Sequence, residues 1–335
     1  MTSESDTNHY QGSDHLESQR TRRTRLAPSP TGDLHLGNAR TFLYTWALAR
    51  RQEWSISLRH EDLDASRVAP GSCERLEASL HWLGLDWDGP SRLQSQDLDP
   101  YFDAMKTLAS RNLVFRSDLS RREVREAVGA PHGGELVFPS ELRPRRRECW
   151  SFEDPTAGHR FAMPAGPEDV HDQLAGSVVF DPAREGGDPV LWTRDGRPAY
   201  QLAVVVDDLR DGITDIVRGD DLLGSAARQQ RIRHALGEPR TPRWWHLPLV
   251  HDEHGRRLSK RDGDLGLDAL RDAGVGPERV VGLLLHLGNL IPERMPVPSH
   301  DAIVLLNPDR LTTLFQSEQE KPCRLSQEDL EWLRS

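Results

Sequence analysis

The chain has 335 residues, 36% of them apolar, with 43 Lys and Arg against 53 Asp and Glu and a formal net charge of −10. Such a length and apolar share allow one large or two modest α/β or α+β domains, and the acidic balance excludes a wholly basic nucleic-acid-binding surface. No apolar run approaches the roughly 20 residues that a bilayer demands, and the N-terminus lacks the apolar stretch of a leader, so the expectation is a cytoplasmic protein with no membrane contact.

Residues 1–23 are polar and almost devoid of apolar side chains, which predicts a disordered tail, with the folded part starting near Thr24. Thr24 to Ala27 read as a short strand closed by the loop Pro28-Ser29-Pro30-Thr31-Gly32. Ala39, Phe42, Leu43, Trp46 and Ala47 repeat at helical spacing. Trp54, Ile56 and Leu58 alternate as in a strand that ends at Arg59-His60-Glu61-Asp62, and Cys73, Leu76, Leu80 and Leu83 mark a second helix. Strand, helix, strand, helix predicts a parallel α/β sheet with ligands at the carboxyl ends of its strands.

That rhythm fills 24–111 and breaks over 112–195, read as an inserted subdomain. It resumes over 196–294 with the apolar run Leu202 to Val206, taken as a strand ending in Asp207-Asp208. Ile216-Val217 then lead to Arg218-Gly219, a helix spans about 225–236, and His246 to Val250 form a last strand before a basic loop. Val280 to Leu290 read as a buried helix, and 295–335 are too weakly patterned to assign.

Two segments carry chemistry. Gly32-Asp33-Leu34-His35-Leu36-Gly37-Asn38 joins the first strand to a helix, whose N-terminal N–H groups and partial positive charge suit phosphate. Arg257-Leu258-Ser259-Lys260-Arg261 is a basic loop able to close on a pyrophosphate leaving group. Alone, each also fits a plain surface turn. Together, at one sheet edge, they ask for ATP.

Arg25-Leu26-Ala27-Pro28-Ser29-Pro30-Thr31-Gly32 followed by His35-Leu36-Gly37-Asn38 resembles the opening signature of class I glutamyl-tRNA synthetases. Leu58 to Asp64, Leu83 to Pro90 and the loop Arg257 to Arg261 resemble further segments of that family, in order, over roughly 24–290. Tyr200 to Asp208 is most similar to one branch, whose members esterify glutamate to the queuosine base of tRNA(Asp). The 74 residues after Arg261 lack the pattern of the family's helical anticodon-binding region. The resemblance implies a Rossmann-type doubly wound parallel sheet with an inserted subdomain and a helical C-terminal segment.

It also implies site residues. Arg25, Ala27, Ser29, Glu61, Tyr200 and Arg218 fall where the family contacts glutamate, and two arginines with one carboxylate match a dicarboxylic amino acid chemically. Pro28, Gly32, His35, Gly37, Asn38, Leu258, Ser259 and Lys260 fall on ATP, with His35, Asn38, Ser259 and Lys260 as the catalytic set. Magnesium accompanies ATP. Branch members often bind zinc in the insertion, but the ligand positions fall here on Ser117, Leu119, Phe138 and Leu142, which predicts no zinc. Cys73, Cys149 and Cys323 offer no CxxC substitute. Arg143, Arg145, Arg146 and Arg147 form a basic knot that either contacts a tRNA backbone or is solvated.

The expected protein is thus a monomeric ligase that activates L-glutamate with ATP and transfers it to tRNA, preferably tRNA(Asp). The rivals are a truncated synthetase charging the 3′ end of tRNA(Glu), a small-molecule adenylating ligase, and a non-catalytic RNA- or nucleotide-binding paralogue.

Overall fold

The computed structural model describes residues 21–117, 119–128, 137–256, 258, 266–320 and 322–335. Most of the expected tail, and Arg257, Ser259, Lys260 and Arg261 of the basic loop, lie outside the described residues.

Strand β1 (Arg23–Leu26) is followed by helix α1 (Leu36–Arg51), β2 (Ser55–His60), α2 (Ser72–Trp82) and β3 (Arg92–Leu93). The three strands form a parallel sheet in the order β1-β2-β3. Helix α1 buries Ala39, Leu43, Tyr44, Trp46 and Ala47, so its 3.6-residue repeat lies against the sheet.

After α3 (Asp99–Ser110) come β4 (Val114–Arg116), α4 (Arg121–Val128) and β5 (His159–Phe161). Next are β6 (Glu168–Asp172), β7 (Gly176–Phe180), the short α5 (Pro182–Glu185) and β8 (Val190–Trp192). Strands β4, β5 and β8 make a small antiparallel sheet. The rest of the expected insertion does not join it. Strand β6 runs parallel to β10 (Arg243–Leu247), and the β6–β7 hairpin forms with it a four-stranded sheet in the order β7-β6-β10-β9, with β9 spanning Asp215–Gly219. Residues 112–195 therefore contribute to two sheets. Alternation over five residues of β6, buried at Glu168, Val170 and Asp172, reflects one face packed inward.

The β1-β2-β3 and β7-β6-β10-β9 sheets adjoin where the Thr214 amide, just before β9, donates to the Arg23 carbonyl on β1 at 2.9 Å. From β1 the chain builds outward through β2 and β3, whereas β9 leads to β10 on the other side. This reversal of strand order is the position where open α/β sheets bind ligands.

One expected strand is a helix. Residues Leu202 to Val206 lie in α6 (Tyr200–Arg210), which packs against β8, α3 and α7 (Leu223–Leu236). All five apolar residues, with Asp207 and Asp208, are buried there. A helix covered on several sides loses its polar stripe, and a short apolar run then carries no period to separate it from a buried strand. The last strand also begins earlier than expected, at Arg243, and ends at Leu247.

Beyond the basic loop lie α8 (Leu267–Asp272), α9 (Pro277–Leu287), α10 (Ser299–Leu305), α11 (Pro308–Glu320) and α12 (Gln327–Arg334). Leu306, Leu311, Leu314 and Leu333 share one core with the buried residues of α1, so the unassigned C-terminal stretch is a helical layer packed on that helix. Helix α12 starts at Ser326, whose hydroxyl and the Asp329 carboxylate cap each other's backbone amides.

Candidate active site

A cleft of about 970 Å³ opens where β1, β2 and β9 end. Arg25, Ala27 and Ser29 line it from the β1 end, Glu61 from the β2 end, Arg218 from β9, and Tyr200 from the first turn of α6. All six residues expected at an amino-acid pocket therefore face one cavity. Pro28, Gly32 and Asn38 line it as well.

His35 caps α1, and its Nδ1 accepts from the Gly37 amide at 3.2 Å. The site of a Cβ on Gly37 would lie 3.1 Å from the imidazole, tight enough to shift the ring by a few tenths of an ångström, and in ordinary contact with Leu258 at 3.8 Å. Leu258 is buried, and its amide donates to Val250 at 3.1 Å. At the far end of the basic loop, Gly266 forms a bridge with His35, and the Leu267 amide donates to Leu34 at 2.7 Å. Both flanks of the loop thus converge on the His35 turn, while Ser259 and Lys260 lie outside the described residues.

Beneath the amino-acid residues runs a buried charge network that the sequence did not announce. Asp208 takes the Arg25 Nε at 3.1 Å and an Arg59 terminal nitrogen at 2.7 Å. Arg59 also reaches Glu61 at 3.4 Å, and Asp207 accepts from Gln94 at 2.7 Å and from the Tyr101 hydroxyl at 2.9 Å. Burial opposes ionisation of Asp208, but Arg25 and Arg59 outweigh it and hold the carboxyl below its usual value. At Glu61 burial wins over Arg59 and Arg25, and the carboxyl is pushed up. Desolvation and paired charge thus act on the two groups in opposite senses.

Arg218 is different. Its Nε donates to His246 at 3.0 Å, one terminal nitrogen to the Gln229 amide oxygen at 2.8 Å, and the other to the Leu222 carbonyl at 3.0 Å, while its plane lies 4.8 Å over the Trp244 ring. Among the described residues no carboxylate pairs with it. Burial pushes its pKa down, yet a guanidinium stays charged in proteins. The carboxylates of Asp208 and Asp221 act on it only at a distance, so this buried cation lines the cleft with no carboxylate bonded to it. Asp172, Gln229 and His246 were not singled out from sequence, because they stand far from Arg218 in the chain and carry no motif.

Of the four positions expected to lack zinc ligands, Phe138 is buried with Phe115, Val124 and Ala162, and Leu142 packs on that cluster. Ser117 is buried and Leu119 is 36% exposed. Among the described residues no group of three His, Cys, Asp or Glu side chains is arranged to hold a metal. The arginine knot divides: Arg143 forks onto Asp188 with two 2.7 Å bonds, whereas Arg145, Arg146 and Arg147 are exposed. All three cysteines are free, and among the described residues no helix is long and apolar enough to cross a membrane.

Residues 21–316 match the family described as tRNA synthetases class I (E and Q), catalytic domain. The chain belongs to this family of class I synthetases. Within it, the chain is 40% identical over 301 residues to Glutamyl-Q tRNA(Asp) synthetase of Symbiobacterium thermophilum, covering 86% of this chain and 93% of that protein. It is also 40% identical over 266 residues to Glutamate--tRNA ligase 2 of Maricaulis maris, but there it spans only 55% of the relative's length. The solved glutamate-tRNA synthetase from Elizabethkingia anophelis superposes with a TM-score of 0.75 at 25% identity, over 94% of this chain and 70% of that one.

Proposed function

We propose that the protein activates L-glutamate with ATP and transfers it to the queuosine base of tRNA(Asp), as a monomer in the cytoplasm. The observation that carries this reading is the cleft in which Arg25, Glu61, Tyr200 and Arg218 meet, with no carboxylate of the described residues bonded to Arg218, beside the phosphate-type turn at His35. A dicarboxylic amino acid supplies that carboxylate, and its ammonium faces Glu61.

The glutamate α-carboxylate attacks the α-phosphorus of ATP, entering as its magnesium complex; glutamyl-adenylate forms and pyrophosphate leaves. No side chain acts as nucleophile. Arg25, Ala27, Ser29, Glu61, Tyr200 and Arg218 hold glutamate. Pro28, Gly32, Gly37, Asn38 and Leu258 shape the nucleotide site, and His35, Asn38, Ser259 and Lys260 stabilise phosphate charge as it develops. A hydroxyl of queuosine then attacks the acyl carbon and displaces AMP. The choice of acceptor rests on the relatives: the chain spans nearly the whole of a protein named for tRNA(Asp), but about half of one named as a glutamate–tRNA ligase.

Glutamate-dependent pyrophosphate exchange tests the first step, with Lys260→Ala as the control. Incorporation of labelled glutamate into tRNA(Asp) with and without queuosine, and into tRNA(Glu), tests the second. Labelling of tRNA(Glu), or of tRNA(Asp) irrespective of queuosine, overturns the acceptor assignment.

A further inference from the structure

Arg218 needs three neutral partners to hold its shape. A guanidinium has five N–H donors; His246, Gln229 and Leu222 take one each, which leaves two for a ligand in the cleft that Arg218 lines. Gln229 and Leu222 offer carbonyl oxygens that accept in every state. His246 does not. Its Nε2 accepts from Arg218 only when the ring is neutral and its single proton sits on Nδ1.

Asp172 imposes that state. Its Oδ2 lies 2.6 Å from Nδ1 of His246 and 3.1 Å from the His246 backbone amide, while its Oδ1 accepts from the amides of Leu174 and Ala175 at 2.8 and 2.9 Å. A buried carboxylate pinned by three backbone donors can only accept, so Nδ1 must carry the proton. The sheet fixes this alignment, because β6 and β10 pair with Trp244 opposite Asp172 and β9 pairs His246 with Arg218. Neither the His246 nor the Asp172 side chain is exposed.

We propose that His246, set by Asp172, is a positioning residue for the amino acid: it fixes the Arg218 fork as the receptor for a substrate carboxylate without touching the substrate. This deepens the glutamate reading above and rests on it. Burial, with the Arg218 charge beside it, pushes His246 down to about 4 against the pull of Asp172, so the ring remains an acceptor at neutral pH. Moving the proton to Nε2 would set N–H against N–H and turn the guanidinium away from its two free donors. Positioning groups behind a contact residue act in this way on affinity.

The test is pyrophosphate exchange by the full chain, with L-glutamate and ATP varied separately. His246→Gln places an amide oxygen at the reach of Nε2, whereas His246→Asn reaches only as far as Nδ1. The Asn variant is expected to raise the KM for glutamate on the order of ten- to a hundredfold, the worth of one hydrogen bond to a charged group, and to leave the KM for ATP in place. The Gln variant recovers most of that loss. Asp172→Asn frees the tautomer and raises the glutamate KM as well; it carries the test if His246→Asn does not fold. Equal glutamate KM values for the Gln and Asn variants, or a rise shared by both substrates, overturn the assignment while the wild type still exchanges. A wild-type chain that shows no glutamate-dependent exchange overturns the glutamate reading, and this assignment with it.

Discussion

Arg59 donates to Asp208 across 2.7 Å, and neither side chain reaches solvent. The same carboxylate receives Arg25 at 3.1 Å. A residue on helix α6 therefore sets the position of an arginine on β1 that faces the cleft, and the pocket's charge is shaped from below.

Asp208→Asn takes from buried Arg25 its carboxylate partner, while Arg59 keeps Glu61, Asp207 and Asp211 at 3.4, 3.7 and 3.5 Å, and the expected destabilisation is about 3 kcal/mol at pH 7. Because the folded pKa of Asp208 is depressed, its contribution is full above the unfolded carboxyl value of about 3.9 and is lost as pH falls through the folded value. Urea unfolding of wild type and variant should differ most at neutral pH and converge in acid. A gap that persists unchanged at low pH would assign the loss to packing.

Arg218→Ala removes the proposed carboxylate receptor. Truncating one side of a buried charge contact costs about 2–5 kcal/mol, so the KM for glutamate should rise at least about 30-fold with the KM for ATP unmoved. Arg218→Lys should rescue little, since an ammonium cannot bond His246, Gln229 and a carboxylate in one plane. Exchange kinetics with each substrate varied in turn will show it.

Gly282→Ala probes the joint between α9 and the C-terminal layer. A Cβ there would sit 1.8 Å from the Met295 carbonyl oxygen, and the backbone cannot give way cheaply. The expected cost is about 1–3 kcal/mol or more, read as a fall in Tm.

A zinc chelator should leave Tm and pyrophosphate exchange unchanged, since Phe138 and Leu142 hold the β4–β5–β8 subdomain by apolar packing. Phe138→Ala, by contrast, should cost about 3–5 kcal/mol. Transfer to tRNA should suffer more than exchange, since the pocket opens at the ends of β1, β2 and β9, outside that subdomain. A chelator-induced drop of several degrees would contradict this.

The first half of the fold was legible because the apolar residues of α1 and β2 recur at clean periods, Ala39, Leu43 and Ala47 in the helix and Ile56 and Leu58 in the strand, and all of them are buried. Helix α6 was not, because burial on several sides erased its polar stripe. The β6–β7 hairpin looked like part of an insertion because its partner, β10, lies about 70 residues away, and no local pattern announces a parallel neighbour. The same reasoning divides the site. Arg25, Glu61 and Arg218 stand at strand ends in recognisable segments, whereas Asp172 and His246 acquire meaning only through their distance from Arg218.

The stem of the basic loop is held by residues that follow it by some 70 positions: the His251 amide donates to Cys323, and the Leu325 amide returns to His251, both at 2.9 Å. Arg40, on the helix that His35 caps, is ion-paired with buried Glu318 on α11. Residues 318–325 therefore brace both the helix behind His35 and the stem of the basic loop at once. Shortening the chain ahead of Cys323 would surface first as a failure to form the adenylate, before any failure to grip RNA.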